Sequence, residues 1–250
     1  MMNSSIETYK IFSEFYDLYV RSFNSDFDFY RSFCHKTDRI LEVGCGTGRI
    51  LNILLQEDCT VTGIDISEEM LTKAGEKYHT AVQEGRLTLL NHNFLNHKLN
   101  AGFDRILLSF YTFNYILDQP KQFLKSLIHS FNSGGVLLMD VFYPTPLFNN
   151  SIDGVWLEKE YNIDGRVIKI HDCRTMNKDI EHRQQVFIID GTETKIDTKR
   201  RYYSPSVLRE ILHDTGIGDV KFAHGYEYQK FQEMIEEKKL KNNYIVKVTV

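Results

Sequence analysis

The run Leu41-Glu42-Val43-Gly44-Cys45-Gly46-Thr47-Gly48-Arg49 sets an acid and three glycines at alternate positions, just past an apolar segment. Glycines so spaced let the main chain turn sharply and let a ligand approach where a Cβ would collide. Asp65 ends the next apolar segment, about 20 residues on, where a carboxylate accepts hydrogen bonds from ribose hydroxyls. A turn of backbone amides followed by an acid is chemistry for holding a nucleotide. The dinucleotide fingerprint G-x-G-x-x-G would need glycine or alanine at position 49. Arg49 stands there instead, and its bulk is expected to hinder a pyrophosphate at the helix start, which disfavours a nicotinamide-dependent oxidoreductase.

Two further groups carry chemistry. Ser109-Phe110-Tyr111-Thr112-Phe113-Asn114 follows an apolar run, and open α/β sheets bind ligands beyond the carboxyl ends of their strands. This stretch is expected at a reacting end, with Tyr111 presenting its hydroxyl or ring there or packing in the core. Farther on, His171 and His182 are placed to face each other across a hairpin centred near Asn177. Two histidines without a third ligand do not make a metal site, and no metal is expected. Cys34, Cys45, Cys59 and Cys173 form no CxxC pair and read as free thiols of a reducing compartment.

The elements that must position these residues alternate. Strands are predicted over 39–43, 60–64, 86–90, 104–109 and 136–142, and helices over 47–56, 67–79 and 120–131. Ser67 is an N-cap with acids in the following turn. Strands separated by helices imply right-handed crossovers and a parallel sheet. Beyond Pro144 and Pro146 the rhythm changes to short strands over 155–203, with turns at Asp164-Gly165, Asn177-Lys178-Asp179 and Asp190-Gly191. Ser204-Pro205 starts a helix that stops near Gly216, and two last strands follow over 219–226 and 243–250. Tyr9, Phe12, Tyr16, Tyr19 and Phe23 recur at helical steps, as a core-packed helix or as a lid over a ligand.

The chain of 250 residues suits one large α/β domain with an insertion. Its 34 acidic against 30 basic residues, a formal net charge of −4, argue against broad nucleic-acid binding. No signal peptide and no bilayer-length apolar run is read, so a cytoplasmic protein without membrane contact is expected.

The G-x-G-x-G spacing preceded by Glu42, within the string 40–51, resembles motif I of class I S-adenosylmethionine (SAM)-dependent methyltransferases. Gly63-Ile64-Asp65-Ile66-Ser67 resembles their second motif. The resemblance implies a Rossmann-like α/β fold: a mostly parallel seven-stranded sheet with an antiparallel last strand and a β-rich insertion after strand five. It implies SAM as cofactor and S-adenosylhomocysteine as product. Glu42, Gly44, Cys45, Gly46 and Gly48 would surround the methionine part, and Asp65 would hold both ribose hydroxyls. Ile66 would pack on adenine, and Asn93 and Phe94 would meet its edge. Many members have aspartate where Asn93 stands; asparagine keeps an acceptor without the charge. Ser109, and Tyr16 of the lid pair Tyr16-Asp17, complete the implied cofactor set.

The whole layout is similar to small-molecule N-methyltransferases acting on amino sugars and, more distantly, on glycine or sarcosine. It comprises a lid over 1–36, a SAM core over 37–143, an insertion over 144–203 serving as acceptor cap or oligomer contact, and a C-terminal completion of the sheet over 204–250. Phe142-Tyr143-Pro144 and Trp156 would border the acceptor, and His171, Arg174, His182 and Tyr202 would contact it. Tyr111, His171 and Tyr202 are the candidate catalytic residues. A tyrosine or histidine would take the proton of an amine, while a hydroxyl acceptor would need a stronger base, His171 or His182. The Asn/Asp-Pro-Pro-Tyr/Phe motif of nucleic-acid amino methylation is absent after strand four. The expectation is methyl transfer to a small-molecule acceptor, N- favoured over O-, by a monomer or homodimer. An enzyme acting on RNA or protein, a nicotinamide oxidoreductase and a non-catalytic SAM-binding module are the alternatives.

Overall fold

The computed structural model describes residues 23–93, 99, 102–144, 153–163, 165–217, 219–227, 230–236, 239–240 and 242–250, with Ser13, Tyr16, Asp17, Val20 and Arg21. Tyr9, Phe12, Tyr19 and Phe94 lie outside the described residues.

Five apolar segments form strands β1 (Arg39–Val43), β2 (Thr60–Asp65), β3 (Leu87–Asn91), β4 (Phe103–Leu108) and β5 (Phe131–Phe142). They pair in parallel, as expected of strands covered on both faces. With β10 (Asp219–His224) and β11 (Asn243–Thr249) they make a seven-stranded sheet of order β10-β11-β5-β4-β1-β2-β3. β11 is antiparallel to both its neighbours. The chain order reverses between β1 and β4, the switch point at which such sheets bind ligands.

Alternation along the strands sends side chains to two apolar layers. Leu41, Val43, Ile106, Leu108 and Met139 pack with Phe123, Leu127, Leu208 and Leu212 of the helices Pro120–Ile128 and Pro205–His213. Ile40, Val61, Leu107 and Leu138 pack with Phe29 and Tyr30 of the helix Phe27–Ser32, Leu51 and Leu54 of Leu51–Gln56, and Leu71 and Ala74 of Glu68–Lys77. Both expected caps form: Ser67 Oγ accepts from Met70 N, and Ser204 Oγ from Val207 N. The helix expected from residue 47 begins only at Leu51, because Gly46 and Gly48 hold φ of +55° and +87°, outside the helical region.

The insertion is a separate four-stranded antiparallel sheet, β6 (Leu157–Ile163), β7 (Arg166–Asn177), β8 (Ile180–Ile189) and β9 (Thr192–Arg201), in chain order. β7 has 12 residues and β8 and β9 have 10 each, longer than the short strands expected. The hairpin turns use left-handed residues where anticipated, Lys178 (φ +57°), and Asp190-Gly191 (φ +50° and +80°). One face buries Ile168, Ile170, Phe187, Ile189 and Ile196.

Candidate active site

β1 delivers Glu42 to the switch point, where it is 1% exposed. Ser109, just past β4, donates its hydroxyl to Glu42 Oε1 at 2.8 Å. Glu42 Oε2 is buried with no partner among the described residues. Burial pushes the carboxyl up to about 8, although the Ser109 bond favours its charged form. A buried acceptor left unpaired costs free energy until a donor meets it. This position therefore fits a cationic or N–H-bearing ligand group.

The glycine turn is pinned to the end of β2. The amides of Gly44 and Cys45 donate to Ile64 O at 2.8 and 3.0 Å, and Gly46 N donates to Asp65 Oδ2 at 2.9 Å. Asp65 Oδ1 accepts from Ser67 N at 2.9 Å, and burial raises its pKa. The glycines answer different needs. A Cβ on Gly44 would stand 2.8 Å from the Thr112 side chain, and one on Gly48 would stand 2.5 Å from the Tyr78 ring. These two serve internal packing. Gly46 alone of the three opens outward: a Cβ there would meet only the Tyr16 ring, at 3.9 Å. The Cys45 side chain turns inward against Gly63, so only its backbone lines the turn. Ile66, beside Asp65, is 40% exposed, an apolar surface next to the acid. Asn93 is half-buried two residues beyond β3.

The N-terminal segment is fastened to this turn. Asp17 accepts from the Thr47 hydroxyl at 2.5 Å and from Lys77 Nζ at 2.8 Å. Arg49 makes a two-pronged pair with Asp26, at 2.8 and 2.5 Å, and donates to Phe23 O. Its guanidinium lies 4.6 Å from the Phe110 ring centroid. Burial works against its charge, and the Asp26 carboxylate outweighs it. The Arg49 side chain thus points into the N-terminal segment, and its part here is anchorage rather than obstruction of a phosphate.

Past β4, Phe110 and Tyr111 both hold positive φ, +46° and +68°. Such conformations cost about 1–3 kcal/mol each and persist only where the surroundings enforce them. Here aromatic contacts do so: Phe23–Phe110 at 5.1 Å, Phe110–Tyr111 at 5.3 Å, Tyr111–Phe142 at 5.2 Å and Phe142–Tyr202 at 5.7 Å. This row joins the N-terminal segment, the strand ends and the insertion. Asn114 clamps it, donating to Phe142 O and Arg201 O and accepting from Phe142 N.

The candidate catalytic residues separate. Tyr202 is buried, and its hydroxyl donates to Glu181 Oε2 at 2.5 Å. Burial raises the pKa of both Tyr111 and Tyr202, so each phenol is neutral near pH 7. His171 is not brought to this row. It projects from the face of β7 opposite Ile168 and Ile170, 3.8 Å from Glu158. Nor do the histidines face each other: His171 stands opposite Val186, and His182 opposite Thr175, with Asp197 at 2.7 Å. The turn is made at Lys178-Asp179 rather than centred near Asn177, which shifts the register. Arg174 is held by Asp172, Trp156 is 51% exposed, and Tyr143 is buried against Tyr244.

Sequence reasoning missed Asp140, although a lone acid in the apolar run 136–142 was the available signal. It is 1% exposed on β5 and accepts from the Tyr226 hydroxyl at 2.7 Å and from Asn243 Nδ2 at 2.9 Å. Burial pushes it up to about 7.

Residues 41–137 match the family model of a methyltransferase domain. A putative methyltransferase of Geobacillus sp. is 26% identical over 203 residues, covering 76% of this chain and 78% of that protein. The chain is a SAM-dependent methyltransferase. The nicotinamide oxidoreductase reading is thereby set aside. Among solved structures, the methyltransferase superposes on a SAM-dependent methyltransferase from Clostridium acetobutylicum with a TM-score of 0.78, at 21% identity over 97% of this chain and 98% of that one. It also superposes on the sugar N-methyltransferase KedS8 from Streptoalloteichus sp., TM-score 0.69, at 16% identity over 93% and 92% of the two chains. Among the described residues, the methyltransferase has no group of three or more His, Cys, Asp or Glu arranged for a metal ion, and no helix long and apolar enough to cross a membrane.

Proposed function

We propose that this methyltransferase transfers the methyl group of SAM to a nitrogen of a small-molecule acceptor. The observation that carries this reading is the strand-end arrangement: Glu42 with a free buried oxygen, Gly46 open beneath Tyr16, and an aromatic row closing toward the insertion. In this reading Glu42 and the main chain of Gly44, Cys45, Gly46 and Gly48 hold the methionine end, with Ser109 orienting Glu42. Asp65 takes the ribose hydroxyls, while Ile66, Asn93 and Phe94 frame adenine. Tyr16 closes over the turn. Bound SAM supplies a methyl group already activated by its sulfonium. The chain has to orient the acceptor, exclude water and remove a proton.

Residues 1–36 act as lid, 37–143 as SAM core, 144–203 as acceptor cap and 204–250 as the part that completes the sheet. Tyr111 and Tyr202 line the acceptor side, and His171 takes no part. Nitrogen is favoured over oxygen because neutral phenols suit an amine better than a hydroxyl, which needs a stronger base. The fold likeness to a sugar N-methyltransferase supports the same choice.

Calorimetry is expected to return micromolar affinity for SAM and S-adenosylhomocysteine, about −8 kcal/mol at 1 μM, and no heat with NAD. A screen with methyl-labelled SAM against amines, alcohols and RNA is expected to label amines. Label carried only by RNA or an alcohol would overturn the acceptor assignment.

A further inference from the structure

β5 outruns its neighbour β4. Their parallel pairing ends at Leu108 and Met139, while β5 continues to Phe142. On the β11 side the bonding falls to Tyr143, whose N donates to Asn242 O at 2.9 Å. The N–H and C=O of Phe142 therefore face the side where β4 has already ended, and buried peptide groups need partners. The Asn114 side chain stands in for the missing strand. Its Oδ1 accepts from Phe142 N at 2.8 Å, and its Nδ2 donates to Phe142 O at 3.0 Å. A primary amide carries a donor and an acceptor, as a peptide group does, and has a second N–H to give. That N–H goes to Arg201 O at 2.7 Å. The network fixes the amide's orientation, since a flipped one would set its oxygen against two carbonyls.

Asn114 is fully buried, and its own main-chain N donates to Tyr111 O at 2.9 Å. One residue is thus bonded to the main chain at three points of the aromatic row: at Tyr111, at Phe142, and at Arg201 beside Tyr202. Phe142 ends β5, where the chain leaves the large sheet for the insertion, and Arg201 ends β9, where it returns. The joint is reinforced by the Tyr203 hydroxyl, which donates to Ile116 O, and by Arg201, which donates to Leu117 O. At its other end the same turn meets the cofactor acid: Thr112 Oγ1 donates to Ser109 O at 2.8 Å, and Ser109 donates to Glu42.

We infer that Asn114 is the positioning residue that sets the acceptor cap against the methyl group, by fixing Tyr111, Phe142 and Tyr202 relative to one another through their main chain. The inference rests on the acceptor-cap reading above. Asn114 touches neither substrate and acts through the three aromatic residues. Methyl transfer asks for in-line approach, and a displacement of about 1 Å can cost on the order of 100-fold in rate. The residue type suits the task. Asn114→Leu keeps much of the volume and loses every side-chain bond. Asn114→Asp keeps the shape and the bond from Phe142 N, but as a carboxylate it turns lone pairs on Phe142 O and Arg201 O. Once protonated it regains one donor. Burial favours the neutral form of such a carboxyl, so the aspartate variant is a version of the same pin that works at low pH and fails at high pH.

The first arm of the test uses the full chain without ligand. Hydrogen exchange follows the peptides that contain the amides of Phe142, Tyr143 and Tyr202. Asn114→Asp is expected to exchange faster than the wild type there at about pH 8.5, and to approach the wild type measured at the same pH at about pH 6. Exchange equal to the wild type at both pH values overturns the pin, whatever the acceptor proves to be. The second arm measures methylation of the amine that the labelled screen returns, with SAM affinity followed by calorimetry. Asn114→Asp is expected to lose roughly 10- to 100-fold in kcat/KM for the amine at about pH 8.5, to keep SAM affinity, and to recover as pH falls. The ratio to the wild type at each pH removes the amine's own protonation from the comparison. Asn114→Leu has no donor at any pH and is expected to show the loss without the recovery. A loss in Asn114→Asp that is the same at both pH values, or that runs in step with lost SAM affinity, would overturn the positioning role. If neither variant folds, the wild type decides: saturating amine is expected to slow exchange in the peptides around Asn114, Phe142 and Tyr202, and no change there overturns the inference. Wild-type transfer to RNA alone would instead refute the acceptor reading, and the ligand-free arm keeps the two outcomes apart.

Discussion

The carboxyl ends of the large sheet and the inner face of the insertion both bury carboxylates, and they treat them in opposite ways. In the insertion, Asp172 receives Arg183 through two bonds, at 2.7 and 2.9 Å, and Arg174 at 3.0 Å. Glu181 Oε2 accepts from Tyr202 at 2.5 Å, and its Oε1, which like Glu42 Oε2 makes no hydrogen bond among the described residues, is instead ion-paired with Arg200, Nε at 2.6 Å. Burial alone would raise Asp172, and the arginines hold its carboxyl below the usual range instead. At the strand ends Glu42 has one hydroxyl donor and a free oxygen, and burial carries it up to about 8. Charges that already satisfy one another build a rigid wall. A charge left short of partners keeps its capacity for something that arrives later. The distinction supports the proposal that the ligand sits at the strand ends, with the insertion's ionic face framing it.

Removing Asp172 should have the largest effect. Asp172→Ala removes the buried carboxylate that Arg174 and Arg183 share, and breaking a buried pair from one side typically costs about 3–5 kcal/mol. Thermal unfolding is expected to shift down strongly while SAM affinity, measured well below the transition, is kept. A parallel loss of SAM affinity in the folded variant would erase the contrast between the two regions. Gly46→Val does the reverse. It forces a β-branched residue to φ +55°, a strain of about 1–3 kcal/mol, and fills the opening beneath Tyr16. Calorimetry should then find no SAM binding in a chain that still folds. Normal binding would mean that no ligand approaches this turn.

Asp65→Ala comes next. Losing a charged acceptor for hydroxyls costs about 1.5–3 kcal/mol, so SAM affinity should fall roughly tenfold or more. Glu42→Gln is smaller and depends on pH. The folded carboxyl titrates at about 8, above its ordinary 4.5, so the native state holds the proton more tightly than the unfolded chain. Wild-type stability therefore falls as pH rises through that window. The glutamine variant is expected to be the more stable protein at pH 8, and no different at pH 4. Its SAM affinity should be weaker and should lose the rise with pH that an ionising Glu42 gives the wild type. Denaturant titrations at the two pH values check the first part, and calorimetry the second. Last, His182→Gln breaks an exposed contact with Asp197, a kind of pair worth at most about 1 kcal/mol. Turnover and stability should barely move; a marked loss of turnover would restore the insertion histidines as catalytic candidates.

Alternating apolar runs, the caps at Ser67 and Ser204 and the glycine turn followed by Asp65 were enough to read the parallel sheet and the insertion after its fifth strand. These are local signals: strand and helix periods, N-cap chemistry and left-handed turns act within a few residues. The same rules went astray where partners are distant in sequence. The insertion hairpin closes at Lys178, so His171 and His182 miss each other, because register follows the turn and the buried face rather than the spacing of two side chains. Arg49 looked like an obstacle to phosphate because nothing local reveals that Asp26 waits for it.

Tertiary structure alone decided which glycine opens outward, which carboxylates are satisfied and that Asp140 meets Tyr226 and Asn243 from the far edge of the sheet. A residue's type sets what it can donate, accept or bury. Its burial and its partners set which of these it does, and both are properties of strand order and packing across the whole chain.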